Sequence, residues 1–347
     1  MPALLIYTKT KRCLLSVLPA GAKLFIVFYF TASFIFPCHA QLLQGFKETG
    51  SFNEQELTIN KAWKNVIINI NAPLLFNSKA KTYLVFYALP NGNSIEWTKG
   101  KKLKAGDDWH FNIQHIAAQT RYVRAVDRKN NYITVYTMAE QKSWPTWKKS
   151  TPDSIYLIKK IVDSITNIFA AYNPVIILSS HSGGGSFIFG FLDAVEKIPA
   201  NIESIAFLDS DYGYEETRHK NKLTDWLNGS KKNKLIVLAY NDSVVIYNGK
   251  PLVSPTGGTW YRSRLMQRNL SETFNFTSDY DTAFTRHLAL SNRIKFILKE
   301  NPGGLIYHTE QVARNGFILS LFSATKFDKK RYFTYFGKPV YDDFIID

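Results

Sequence analysis

The chain has 347 residues, with 43 lysines and arginines against 28 acidic residues, and two cysteines, Cys13 and Cys38. Both cysteines fall in the first forty residues, so the remainder holds no disulfide, no catalytic thiol and no cysteine metal site. The first forty residues carry four basic and no acidic side chains, which leaves +11 on the rest. Such a charge suits solubility or an anionic surface or substrate, and lysines this scattered argue against a nucleic-acid site.

Lys9, Lys11 and Arg12, followed by Lys23, precede an apolar run from Leu24 to Phe36. Cys38 and Ala40 then put small residues at the two positions a signal peptidase reads. The pattern predicts a signal peptide over residues 1–40 and an exported protein, periplasmic or secreted, with no stable membrane span after cleavage. An uncleaved anchor is the alternative. A lipoprotein starting at Cys38 is a third, and Pro37 fits it poorly.

Residues 41–347 are long enough for one large domain with a full core. Leu57 to Ile59 and Val66 to Ile70 read as a leading strand pair, and Tyr83 to Tyr87 as the next strand. A helix is expected near residues 109–122, then a strand from Tyr132 to Tyr136. Ser143 to Trp147 reads as a loop. The clearest helix is 153–172, with Asp153 or Thr151 as cap and Ile158, Ile161, Val162, Ile165, Ile168 and Phe169 as one stripe. Strands follow at Val175–Ser179, Ile205–Leu208 and Leu235–Tyr240, with a short amphipathic segment from Leu223 to Leu227 before the last. The polar stretch from about 243 to 290 reads as a lid or cap insertion. Arg293 to Leu298 is the last core strand, 309–323 the closing helix, and the tail from Lys326 a surface segment. Strands alternating with helices predict an α/β fold with a mostly parallel central sheet and helices on both faces.

The most informative stretch is Ser180-His181-Ser182-Gly183-Gly184. It lies between the apolar run ending at Ser179 and the helical spacing of Phe187, Ile188, Phe191, Leu192 and Val195. Strand, tight turn with a serine, then helix is the setting of a nucleophile elbow. Such a turn strains the serine backbone and exposes its hydroxyl at the carboxyl end of the sheet. A plain strand-to-helix turn that binds phosphate is the other reading. No Gly-Lys-Ser/Thr follows, so a P-loop is excluded.

This stretch resembles the G-x-S-x-G elbow of the α/β-hydrolase superfamily, with Ser180 in place of the first glycine. The resemblance covers most of residues 55–323 and implies the α/β-hydrolase fold and a Ser-His-Asp triad. Ser182 would be the nucleophile. In that fold the histidine comes last, between the final strand and the closing helix, which selects His308, with His287 in reserve. His181 is expected to point away from Ser182 and pack. The acid would be Asp242, at the end of the strand through Tyr240, or Asp209, at the end of the earlier one, with Asp211 a third choice. Gly183 would be the first oxyanion donor. The second would come from the loop Ala88 to Asn93, where Pro90 has no N–H, leaving Asn91 or Gly92.

The implied activity is hydrolysis of an ester or amide through an acyl-enzyme, with no cofactor and no metal. Asp107, Asp108, His110 and His115 do not make a metal site by spacing, since the histidines are five apart. A peptidase or amidase on the same triad and a non-catalytic glycan- or cell-surface-binding protein are the alternatives.

Overall fold

The computed structural model describes residues 42–107 and 112–347. The predicted signal peptide, and Asp108 and His110, lie outside the described residues. No helix among the described residues is long and apolar enough to cross a membrane.

Apolar runs bounded by turn residues form one large sheet. Its strands are β1 (Lys47–Glu48), β2 (Glu54–Lys61), β3 (Val66–Pro73), β4 (Thr82–Ala88), β5 (Asn131–Ala139), β6 (Val175–His181), β7 (Ile202–Leu208), β8 (Lys234–Tyr240), β9 (Thr277–Tyr280), β10 (Phe284–Ala289) and β11 (Ile294–Lys299). Their spatial order is β1-β2-β3-β5-β4-β6-β7-β8-β11-β10-β9. The stretch from β5 through β4, β6, β7 and β8 to β11 is parallel throughout. β2 and β3 join it antiparallel on one side, and β10 and β9 on the other.

The main helices are α1 (Ile116–Val126), α2 (Trp144–Ser150), α3 (Ser154–Ile168), α4 (Gly185–Ala194), α5 (Glu216–Gly229), α6 (Thr259–Ser271) and α7 (Gly316–Phe322). They cover both faces, and so the central strands are buried on both sides. Leu84, Phe86, Ile176 and Leu178 face a core completed by α3, α4, α5 and α6. Val85, Tyr87 and Ile177 face a second core completed by α1, α7 and the tail. This is the α/β-hydrolase fold, with the parallel strands all pointing their carboxyl ends toward one rim.

Several sequence expectations are corrected. Ser143 to Trp147 is not a loop but the start of α2, where Ser143 Oγ accepts from Thr146 N–H at 3.3 Å and Pro145 takes a first-turn position. α1 begins at Ile116, later than expected. Asp153 stands at the start of α3 without a side-chain cap bond, and Ile168 is exposed rather than part of its stripe. Residues 243–290 are no separate cap. They hold a small hairpin (Ile246–Tyr247 with Lys250–Pro251), the crossover helix α6 with Met266 and Leu270 in the core, and the edge strands β9 and β10. The closing helix is broken at Asn315, which has φ +68°. The tail is not a surface segment: Phe327, Phe333 and Tyr341 are buried in the second core.

Candidate active site

Ser182 follows β6 directly and opens a tight turn, Ser182–Gly184, that runs into α4. Its φ is +54°, in the left-handed region that costs a side chain with a Cβ. Its N–H donates to the Asp209 carbonyl at 3.2 Å, tying the turn to the end of β7. The turn passes so close to β4 that a Cβ on Gly184 would lie 2.1 Å from the Ala88 carbonyl oxygen. Ser180, where the resemblance has glycine, is fully buried. Ser210 Oγ donates to the Ser180 carbonyl at 3.1 Å, so the 2.8 Å contact between the two hydroxyls has Ser180 as donor. The extra hydroxyl is thereby satisfied inside the sheet rim.

His308 lies in the loop between β11 and the short helix Glu310–Ala313. Its Nδ1 makes a short hydrogen bond to Asp209 Oδ2. A carboxylate only accepts, so Nδ1 carries the proton and Nε2 of the neutral ring is left as an acceptor. Asp209 is fully buried at the end of β7, with φ +52°. Its other oxygen accepts from Thr259 Oγ1, again at short distance. Its N–H donates to the Leu238 carbonyl of β8 at 2.7 Å. Ser182 and His308 line one cavity of about 670 Å³, together with Asn91 and His181.

The structure therefore corrects the expected acid. Asp242 does not meet His308. It follows β8 and accepts the Thr259 N–H, the first of α6, at 2.9 Å. Its carboxylate lies where a Cβ on Gly258 would come within 2.3 Å of both oxygens, so the glycine before α6 makes room for it. Burial, and then the neighbouring Asp209, push its pKa up to about 6. Asp211, the third choice, accepts from Ser263 Oγ at 2.8 Å, and burial pushes it well above the usual carboxylate range. α6 thus reaches three acids through Thr259 and Ser263.

Gly92 is also corrected, because its N–H donates to the Lys142 carbonyl at 2.8 Å. Gly183 and Asn91 remain as candidate oxyanion donors. They lie against one another: a Cβ on Gly183 would sit 2.1 Å from Asn91 Oδ1 and 2.6 Å from its Nδ2. His287 stands on β10 with its Nδ1 2.7 Å from Ser278 Oγ, and lines a different cleft from Ser182.

His181 is buried and lies beside His308. Its ring lies 4.4 Å from that of His308, and its Nε2 donates to the His308 carbonyl at 3.2 Å. Burial, and then the neighbouring His308, hold its pKa well below the ordinary histidine value. It stays neutral, and Nδ1 is a buried acceptor with no partner. Thr259 and His181 are the functional neighbours that sequence reasoning missed. Thr259 carried a signal in Gly257-Gly258-Thr259, a helix start. His181 carried only its place beside the serine.

Among the described residues no group of histidine and acidic side chains is arranged to hold a metal. Asp107 accepts from Lys101 Nζ at 3.1 Å and from the Lys104 N–H at 2.7 Å. His115 packs against Tyr341.

No family model and no curated protein matches this chain. Among solved structures it is similar to a cold-adapted esterase from an Arctic intertidal metagenomic library, at 9% identity and TM-score 0.39, over 79% of this chain and 96% of that one. An acetyl xylan esterase from Aspergillus awamori has 9% identity and TM-score 0.40, over 72% and 92%. Poly(aspartic acid) hydrolase-1 from Sphingomonas sp. KT-1 has 12% identity and TM-score 0.43, over 81% and 100%. These likenesses assign no residue and no substrate here.

Proposed function

We propose that this protein is an exported serine hydrolase that cleaves an ester through a Ser182-His308-Asp209 triad. The observation that carries the reading is the short His308–Asp209 hydrogen bond, made by a histidine that shares a cavity with a serine on a left-handed elbow. His308 Nε2 takes the Ser182 proton as Oγ attacks the ester carbonyl. Gly183 N–H and Asn91 stabilise the oxyanion. The imidazolium, held by Asp209, returns the proton to the departing alcohol oxygen. Water then enters by the same route in reverse and releases the acid. Asp242 stands outside this relay and fixes the start of α6.

Labelling by a fluorophosphonate probe tests the reading. Wild-type protein should take one probe at Ser182, located by peptide mass spectrometry, and Ser182→Ala none. Unlabelled wild-type protein that also fails to hydrolyse p-nitrophenyl esters would end it. For export, the support is the basic and apolar pattern of residues 1–40. N-terminal sequencing of protein recovered outside the cytoplasm should begin at Gln41, and a retained Met1 would refute cleavage.

A further inference from the structure

We infer that the alcohol released is a neutral sugar: the substrate is an acyl ester of a carbohydrate hydroxyl. This rests on the serine hydrolase reading and adds the side of the nucleophile on which each half of the ester lies. The group that receives a proton from His308 must lie against His308. The leaving alcohol therefore occupies the cavity that Ser182 and His308 share. A second cleft of about 490 Å³ is also lined by Ser182, beside Phe189 and Tyr212, and is left for the acyl group.

The shared cavity, about 670 Å³, is within the usual range for small-molecule sites. Its chemistry is unusual in one respect. Three carboxamides, Asn93, Asn112 and Gln114, line it beyond Asn91. Gln114 is 1% exposed, its Oε1 accepts from Tyr87 O–H at 2.6 Å, and its Nε2 has no partner.

A carboxamide offers both a donor and an acceptor, and so does a hydroxyl. Neighbouring sugar hydroxyls match a set of such side chains better than any other alcohol does. A fatty alcohol gains most from aliphatic side chains, and among the described residues only Ile306 and Pro90 supply them to this cavity. A phosphorylated or carboxylated alcohol would need a cation, and among the described residues the wall has no lysine or arginine. Glu310, the carboxylate there among the described residues, lies 3.6 Å from Arg314. Tyr247, on the small hairpin after β8, supplies a ring edge or face at the open side.

The test compares esters that share an acyl group. That group is chosen first from a series of p-nitrophenyl esters. kcat/KM is then measured for the same acyl group on methyl glucoside, on hexanol and on an alanine amide. The sugar ester should exceed the hexyl ester and the amide by tenfold or more. Asn112→Ala, at an exposed position where folding is not at stake, should lower the ratio of sugar ester to hexyl ester about fivefold to tenfold, as should Asn93→Ala. A preference for the hexyl ester or the amide, or a ratio unmoved by both substitutions, overturns the inference while Ser182 still takes the probe. Failure of probe labelling and of aryl ester hydrolysis together removes the underlying reading instead, and the inference with it.

Discussion

The turn after β7 and the turn after β8 start from the same sequence signal. Each follows a mostly apolar strand, and each presents an aspartate that the fold buries almost completely, Asp209 and Asp242. Both even bond to the same residue, Thr259. Yet their partners differ in kind. Asp209 takes a side-chain hydroxyl and the N–H of His308. Asp242 takes the first backbone N–H of α6. A strand-end carboxylate is thus ambiguous until one knows what arrives opposite it. Here the loop carrying His308 comes down over β7, while α6 starts over β8. The reading of Asp242 as the triad acid fails for that reason and no other.

The sharpest way to break this contrast is to neutralise each acid. Asp209→Asn should lower kcat on a p-nitrophenyl ester by on the order of 10⁴, because His308 loses the group that sets its tautomer and stabilises its cation. Asp242→Asn should cost less than tenfold. Circular dichroism melts establish that both variants fold. The reverse ranking would hand His308 to the other turn.

The next effect concerns stability. Asp242 has an ordinary value of 3.8 and is pushed up to about 6 in the fold. Below the lower value both states hold the proton, and the group contributes no penalty. As pH rises through this window the unfolded chain releases its proton first, so stability falls. The gap corresponds to a loss of about 3 kcal/mol by neutral pH. Asp242→Asn lacks this limb and keeps an acceptor for the Thr259 N–H. Urea unfolding of the two proteins should therefore diverge with pH, the variant gaining on wild type between about pH 4 and about pH 7. A constant difference would mean that Asp242 ionises as an exposed aspartate does.

Thr259→Val separates the two carboxylates further. It deletes the hydroxyl, whose short bond is to Asp209 and whose contact with Asp242 is 3.4 Å, and keeps the N–H that reaches Asp242. A hydrogen bond to a charged group contributes about 1.5–3 kcal/mol, so kcat should fall roughly tenfold or more. Thr259→Ser should restore most of it. Equal activity in the valine variant would show that Asp209 is held by His308 and its own backbone alone.

Much of this arrangement was legible because it depends on local pattern. Apolar strands, the elbow between Ser179 and Gly184, and the lone histidine between the last strand and the closing helix are all local features. What stayed hidden depends on tertiary contact. Gly92 looked available until Lys142, fifty residues on, took its N–H. Ser143-Trp144-Pro145 looked like a turn because proline breaks helices, although proline in a first turn after a serine is a helix start. The polar stretch from about 243 to 290 looked like a lid because α6 buries few large side chains and β9 is wholly exposed. The tail looked superficial because its buried aromatics are spaced among lysines.

The smallest expected effect lies with His181, which the sequence placed beside the serine as a packing residue. Its Nε2–H meets the His308 carbonyl, and its ring lies along the His308 ring. It thus holds the backbone of the loop that Asp209 holds by the side chain. His181→Phe keeps a ring of similar bulk and removes the donor. One neutral hydrogen bond is worth about 0.5–1.5 kcal/mol, so kcat should fall about threefold to tenfold. KM for a p-nitrophenyl ester should hardly move, because the bond positions the base and not the aryl group. Combined with Asp209→Asn, the loss should be smaller than the product of the two single losses, since both act through the placement of one imidazole. Full multiplication would show that the loop is rigid without His181, and that its imidazole serves packing alone.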